Sequence, residues 1–176
     1  MRGFTLIEIL VAATIFAVAV GAISSLFVMS LRGQRNILAQ QNLLDNTRFA
    51  SEQMSRQIRM AQRDEVGSCT GDVGSTYGIG GTRLAFIDYR GNCLTYELSG
   101  SKLRTRPNTE QAFVDLTSDD IRIQRLDFGV RGRLSSDGEQ PRVTISIEAE
   151  AAGQSRESSP AVILQTTVSA RNIDVP

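Results

Sequence analysis

The sequence predicts an α+β protein in which one long N-terminal helix, first transmembrane and then amphipathic, packs on an antiparallel β-sheet. Three observations support this prediction. The first thirty residues are densely apolar, residues 34–62 combine good helix formers with an apolar stripe, and alternating apolar and polar residues recur in the second half. Alternation over short runs is typical of a sheet with one covered face, and the preceding helix is the obvious cover.

The apolar segment near the N-terminus is long enough to cross a membrane. The uncharged stretch Ile9–Leu31 would form a helix of about 34 Å, against a hydrocarbon core of about 30 Å. A cleaved secretory signal could use Ala17-Val18-Ala19 as its cleavage site, but the apolar run continues well beyond it. A buried core helix would not be apolar all round, and a plain membrane anchor gives no reason for Glu8.

Glu8 is the most informative residue of this segment. A carboxylate in the membrane costs about 3 kcal/mol, so an unpaired one indicates a function. The segment offers no cation before Ile9 except Arg2. A free α-amine, created by cleavage of the chain nearby, would be a suitable partner for this carboxylate.

The run Gly3-Phe4-Thr5-Leu6-Ile7-Glu8 resembles the G-F-T-L-x-E signature of type IV prepilins and of the pseudopilins of type II secretion. The resemblance implies a pilin-like fold, cleavage after Gly3 by a prepilin peptidase and N-methylation of Phe4. It also implies that Glu8 pairs with the Phe4 amine of a neighbouring subunit during assembly. The implied partners are other pilins or pseudopilins, the peptidase and an inner-membrane assembly platform.

Two features depart from the pattern of major pilins. The leader Met1-Arg2-Gly3 is very short, which leaves open a start codon upstream. The apolar helix has no proline in its middle, and Gly21 is its only weak point. Arginines flank both ends of the span, so the expected topology comes from the family: a single-pass inner-membrane protein with an extracytoplasmic C-terminal domain, later part of a pilus or pseudopilus.

The helix is predicted to continue from about Phe4 to about Gln62. Its second half carries a stripe of small and apolar residues at spacings of three and four, which predicts packing under a sheet. The stripe consists of Leu44, Thr47, Ser51, Met54, Ile58 and Ala61, with Ile37, Leu38 and Leu43 upstream. The predicted segments are a leader (1–3), a transmembrane or filament-core helix (4–31), its amphipathic half (32–63) and a β-rich head (64–176).

The head is predicted to be a loop followed by strands. Residues 64–82 are rich in Gly and Ser and indicate a loop. Strand patterns follow at 83–89, 93–98, 102–106, 125–130, 142–149 and 161–171, and predict an antiparallel sheet. The runs Leu94–Leu98 and Gln165–Asn172, with Leu103-Arg104, are similar to minor pilins and pseudopilins of the W and J type.

Composition argues against several other functions. The 19 basic and 19 acidic residues balance, whereas nucleic-acid binders usually carry a basic excess. The chain has no His, which removes the commonest general base and metal ligand. We therefore expect neither an enzyme nor a cofactor or metal site. If the head is exported, Cys69 and Cys93 are expected to form a disulfide; otherwise they are two unrelated small residues.

Four other groups of residues have an ordinary structural explanation beside a functional one. Asp119-Asp120 fits a capped turn or a cation site, and Ser135–Glu139 fits a solvated turn or a calcium loop. Gly78–Gly81 fits a loop or a phosphate site, and the pairs Arg104/Arg106 and Arg131/Arg133 fit exposed edge charges or DNA contacts. The ordinary explanation is favoured for each group.

The sequence therefore favours a structural subunit, a minor pilin or pseudopilin, over two alternatives. One is a single-span membrane-anchored periplasmic binding domain that never polymerises. The other is an anchored enzyme, which no residue supports. The sequence does not distinguish secretion, motility, adhesion and DNA uptake, nor a subunit at the filament tip from one in the shaft.

Overall fold

The structure, a computed structural model, describes residues 3–78, 80–108, 111–134, 136–152 and 160–171. The chain divides into two compact units, Met1–Leu38 and Ala39–Pro176. Its elements are a helix α1 (Leu6–Arg59) and the strands β1 (Arg83–Ile87), β2 (Cys93–Ser99), β3 (Lys102–Arg106), β4 (Val114–Asp115), β5 (Ile121–Arg131), β6 (Arg142–Ala151) and β7 (Ala161–Ser169). The predicted α+β class, a long N-terminal helix with antiparallel sheets, is confirmed.

Helix α1 buries one face in its second half. The buried residues are Leu43, Thr47, Ala50, Ser51, Met54 and Ile58. Six of the nine positions of the predicted stripe are therefore correct, namely Leu43, Thr47, Ser51, Met54, Ile58 and Ala61. The prediction is wrong at Leu44, which lies 36 % exposed. Ile37 and Leu38 are exposed as well. The error at Leu44 arises because both leucines fit a helical period, and Ala50 was missed because alanine is a weak apolar signal.

The helix ends three residues earlier than predicted, at Arg59, because its last carbonyls find other partners. The Ile58 carbonyl accepts hydrogen bonds from the Ala61 amide at 3.2 Å and from the Tyr77 hydroxyl at 2.8 Å. The Arg59 carbonyl accepts one from the Arg171 amide at 2.8 Å. These bonds satisfy carbonyls that a helix end leaves free and tie that end to the head.

The strands form two antiparallel sheets, not the single sheet predicted. The first has the order β1-β2-β3-β4 and the second the order β5-β6-β7. The short strand β4 and the first residues of β5 were missed, since two residues carry no periodic signal and the bulge between Ile123 and Arg125 interrupts the alternation. Alternation identifies strands but does not reveal which strands share a sheet.

The core is one cluster to which α1 and both sheets contribute. Strand β6 shows the expected period of two, with Val143, Ile145, Ile147 and Ala149 buried. Around Phe86, the rings of Tyr77 and Tyr96 lie with centroids 6.1 and 6.2 Å away. Tyr77 is fully buried although it belongs to the Gly- and Ser-rich segment predicted to be a loop.

The segment 64–82 connects the two sheets. Gly81 and Phe128 exchange both backbone hydrogen bonds, at 3.0 and 2.7 Å, and Ser75 forms bridges with Asp64 and Leu134. Next to this contact, a Cβ placed on Gly80 would lie 1.9 Å from the Phe128 carbonyl oxygen. Glycine is thus required at 80 by the close approach of two backbones.

Replacing Gly80 by Ala is expected to lower the free energy of unfolding by about 3 kcal/mol, because the backbone of β5 must move away. The matched control is Gly129→Ala in strand β5. A Cβ on Gly129 would make an ordinary contact of 3.7 Å with Thr144. Chemical denaturation of the full chain in detergent measures both variants. Equal stabilities of the two variants would contradict the close approach at Gly80.

Candidate functional site

The first unit is an exposed apolar helix. Every residue from Gly3 to Leu38 is exposed within the chain. The exposed fractions of the side chains of Phe4, Leu6 and Phe16 are 79 %, 82 % and 70 %. So large an apolar surface requires a cover of lipid or of other protein, since monomeric soluble proteins rarely expose such a patch.

Within the described residues, one helix, α1, is long and apolar enough to cross a membrane, a criterion of length and composition that signal sequences also meet. The part of α1 that meets it lies near the N-terminus and none of it is buried. This finding is consistent with the predicted membrane anchor.

The residues of the predicted processing and assembly site lie at the start of α1. Gly3 and Phe4 precede the helix in a non-helical segment, and no atom would contact a Cβ on Gly3. Glu8 is in the first helical turn, where its amide donates to the Thr5 carbonyl at 3.2 Å. Glu8 and Phe4, four residues apart, line one shallow depression with Ala12. Exposed backbone before a helix is what a peptidase can reach, and a carboxylate in the first turn complements the helix dipole.

The two cysteines are bonded. Cys69 and Cys93 form a disulfide with their Cα atoms 5.4 Å apart, so the predicted pairing is confirmed. The bond attaches the segment 64–82 to the first residue of β2. It closes a loop of 24 residues and thereby restricts the unfolded chain.

Replacing both cysteines by Ser is expected to lower the free energy of unfolding by about 3 kcal/mol, from the chain entropy of the closed loop. Dithiothreitol should shift the denaturation midpoint of the wild type by a similar amount and leave that of the Cys69→Ser/Cys93→Ser variant unchanged. A wild type insensitive to reduction would show that the bond does not stabilise the head.

Asp64 organises the same segment, although sequence reasoning did not single it out. Its carboxylate is buried and accepts hydrogen bonds from the amides of Gly67, Cys69 and Thr70 at 2.8 to 2.9 Å, and from that of Val66 at 3.2 Å. Burial alone would raise the pKa of Asp64, but the four backbone donors outweigh it and lower the pKa from 3.8 to about 2. The only sequence signal was an Asp ahead of a Gly- and Ser-rich run, which favours side-chain to backbone bonding.

Several of the charged residues considered as binding sites have partners within the chain. Asp119 forms an ion pair with Lys102 at 2.8 Å, which lowers the pKa of the exposed Asp119 carboxyl, and Lys102 also donates to the Ser118 carbonyl. The Asp120 amide donates to the Ser118 hydroxyl at 3.3 Å. Asp119-Asp120 therefore lies in a turn, as favoured, and the Ser118 hydroxyl caps a backbone N–H of that turn.

Three of the four arginines of the two pairs, Arg104, Arg106 and Arg133, also contact other residues of the chain. Arg104 forms an ion pair with Asp115 at 3.0 Å, and the guanidinium groups of Arg104 and Arg106 lie over the Phe113 ring at 5.9 and 4.9 Å. Arg133 pairs with Asp72 at 2.6 Å. These contacts account for the three charges within the head, although each partly exposed pair adds little to stability.

Of the two remaining candidates, the Gly78–Gly81 segment bonds to strand backbones: the Gly78 amide donates to the Ala85 carbonyl at 2.8 Å, and Gly81 pairs with Phe128. The described part of the other, residues 136–139, lies in a turn. Asp137 accepts hydrogen bonds from the amides of Leu134 and Glu139 at 3.2 and 2.9 Å, as a side chain does in a tight turn. Ser135 and Ile79 lie outside the described residues. Among the residues that the structure describes, no group of three or more His, Cys, Asp or Glu side chains could hold a metal ion.

Comparison with known proteins identifies the N-terminal segment. The family described as the prokaryotic N-terminal methylation motif matches residues 1–24. The match includes Gly3, Phe4 and Glu8, and it ends within α1, before the head begins. No curated protein and no solved structure matches the chain significantly. The exposed apolar helix and this motif together support recognition of the chain as a type IV pilin-like prepilin.

Proposed function

We propose that the protein is a structural subunit, a minor pilin or a pseudopilin, which is stored in the inner membrane and assembled into a filament through its N-terminal helix. The observation that carries this proposal is the methylation motif of residues 1–24 at the start of a helix whose apolar residues are exposed through Leu38. Burial of this surface, first in lipid and then among like helices, would supply the energy of assembly.

The proposal assigns a role to each residue of the motif. A prepilin peptidase cleaves after Gly3, and Phe4 becomes the N-methylated first residue. Glu8 then pairs with the Phe4 amine of a neighbouring subunit, because two charges in an apolar environment are tolerated only as a pair. The helix formed by residues 4–31 builds the filament core, and residues 32–63 continue it to the head.

The head is proposed to be extracytoplasmic. Its Cys69–Cys93 disulfide supports this location, since disulfides persist in oxidising compartments. The lack of a proline in the apolar helix favours a minor subunit, and the similarity to the W and J type rests on residues 94–98, 103–104 and 165–172. We infer a structural role and no enzymatic one.

The alternative is a membrane-anchored binding domain that never polymerises. Shear fractionation of cells that assemble filaments distinguishes the two. A filament subunit should appear in the sheared fraction, identified there by peptides of its head, and disappear from it when the assembly ATPase is deleted. Recovery from the membrane fraction alone, with normal filaments present, would favour the anchored binding domain.

A further inference from the structure

Strand β7 leaves one row of backbone groups pointing away from its sheet. The Ala170 amide donates to the Pro141 carbonyl at 2.8 Å, and the Ala151 amide donates to the Pro160 carbonyl at 3.1 Å, at the two ends of the β6–β7 ladder. Antiparallel neighbours bond through alternate residues, so the even-numbered residues of β7 bond to β6. The outward N–H and C=O groups belong to Ala161, Ile163, Gln165, Thr167 and Ser169.

The opposite edge of the same sheet is occupied, whereas this one is open. On β5, Phe128 exchanges two hydrogen bonds with Gly81, and the Ile123 amide donates to the Ser101 carbonyl at 2.9 Å. Along β7, no outward backbone group has a backbone partner among the described residues. Among the described residues, the outer edge of the nine-residue strand β7 is therefore unpaired, while its inner edge is bonded to β6.

Strand β7 also lacks the features that usually protect an edge. Natural edges carry charges, proline or a bulge. Strand β5 has a bulge and several charged residues, while β7 (AVILQTTVS) has no charge and no proline, and it pairs with β6 without a bulge. Such an edge is suited to accepting another strand.

The side chains on the core side of β7 are incompletely covered. Val162, Leu164 and Thr166 are only half-buried, although the facing residues of β6 are buried. On the other side, Ile163 is 77 % exposed. The apolar layer therefore thins at this edge, where a further strand would complete it.

We propose that the β7 edge binds an extended strand of another protein, uncharged over the paired stretch and with aliphatic side chains opposite Val162 and Leu164. A second copy of this chain is the poorer match. If the β7 strands of two copies pair antiparallel about Gln165, all nine residues of each strand take part. This register, however, places the aliphatic Leu164 and Ile163 opposite the polar Thr166 and Thr167. A register centred on Ile163 places Val162 opposite Leu164, but it uses only residues 161–165 and places Ala161 opposite Gln165. The proposal is independent of the filament function.

Amide hydrogen exchange tests the proposal on the full chain in detergent micelles. The probe is a synthetic peptide of alternating Val and Thr with lysines at both ends. Without it, the outward amides of Ile163, Gln165 and Thr167 should exchange rapidly while the inward amide of Leu164 is protected. Saturating peptide should slow the outward amides at least about tenfold, and the same peptide N-methylated at alternate residues should not.

The variant Gln165→Pro removes one outward N–H and no bond to β6, a position where an edge strand tolerates proline. It should weaken peptide binding at least about tenfold, while Gln165→Ala retains it. If the proline variant unfolds, Ile163→Lys replaces it. Outward amides that the peptide leaves unchanged, or that are already protected at high dilution, would overturn the proposal. Protection that rises with protein concentration alone would assign the edge to a second copy and overturn it as well.

Discussion

Replacing Glu8 by Ala is expected to leave a stable, membrane-inserted protein that no longer enters filaments. The substitution removes a carboxylate that costs about 3 kcal/mol in the membrane, so insertion is not impaired. It leaves the Phe4 amine of the neighbouring subunit unpaired in an apolar environment, which costs about 3 kcal/mol or more in assembly. The amount in the sheared filament fraction should fall about a hundredfold, and the amount in membranes should not fall.

Glu52→Ala is the matched control for this experiment, since Glu52 is also an exposed carboxylate of α1 but lies beyond the apolar segment. This variant should assemble as the wild type does. Normal incorporation of Glu8→Ala would remove the role proposed for Glu8, and equal loss in both variants would indicate a general effect of charge on the helix.

Replacing Asp64 by Asn is expected to lower the free energy of unfolding of the head by about 3 kcal/mol. The carboxylate accepts hydrogen bonds from four backbone amides, and an amide side chain would direct its own N–H groups at some of these donors. Chemical denaturation of the full chain in detergent measures the loss, with the exposed Asp127→Asn as control. Equal stabilities of these two variants would show that Asp64 does not organise segment 64–82.

The low pKa of Asp64 also predicts how stability depends on pH. Its pKa is about 2 in the folded protein against an ordinary 3.8, so the ionised form stabilises the fold above about pH 4. This contribution, about 2 kcal/mol, is lost as the pH falls from about 4 to about 2. Denaturation midpoints measured across this range should fall for the wild type and fall less for Asp64→Asn. Parallel curves would contradict the pKa shift.

Much of this architecture could be predicted because it depends on periodicity. Strands β6 and β7 begin and end close to the predicted bounds, since each alternates apolar and polar residues over its whole length. The buried stripe of α1 was predicted at Thr47, Ser51 and Met54 because three- and four-residue spacing is a property of one helix alone. These periodicities depend only on residues close together in the sequence, so the sequence alone is sufficient to recognise them.

The remaining features depend on contacts between distant residues. Nothing in the sequence near Gly80 indicates that Phe128 approaches it, and the separation into two sheets follows from such contacts. Asp64 and Tyr77 are buried in a segment whose composition is typical of a solvated loop. The candidate site, in contrast, could be predicted from a local motif that contains Gly3, Phe4 and Glu8. The roles of these three residues are the proposal made above.

The intact mass of the protein purified from native membranes tests the central claim most directly. A filament subunit processed as proposed should lack Met1 to Gly3 and carry one added methyl group, and reduction should add two hydrogens for the Cys69–Cys93 bond. Deleting the prepilin peptidase should restore the leader and remove the methyl group. An uncut, unmethylated N-terminus in cells with an active peptidase would contradict the account and leave a membrane-anchored domain that does not polymerise.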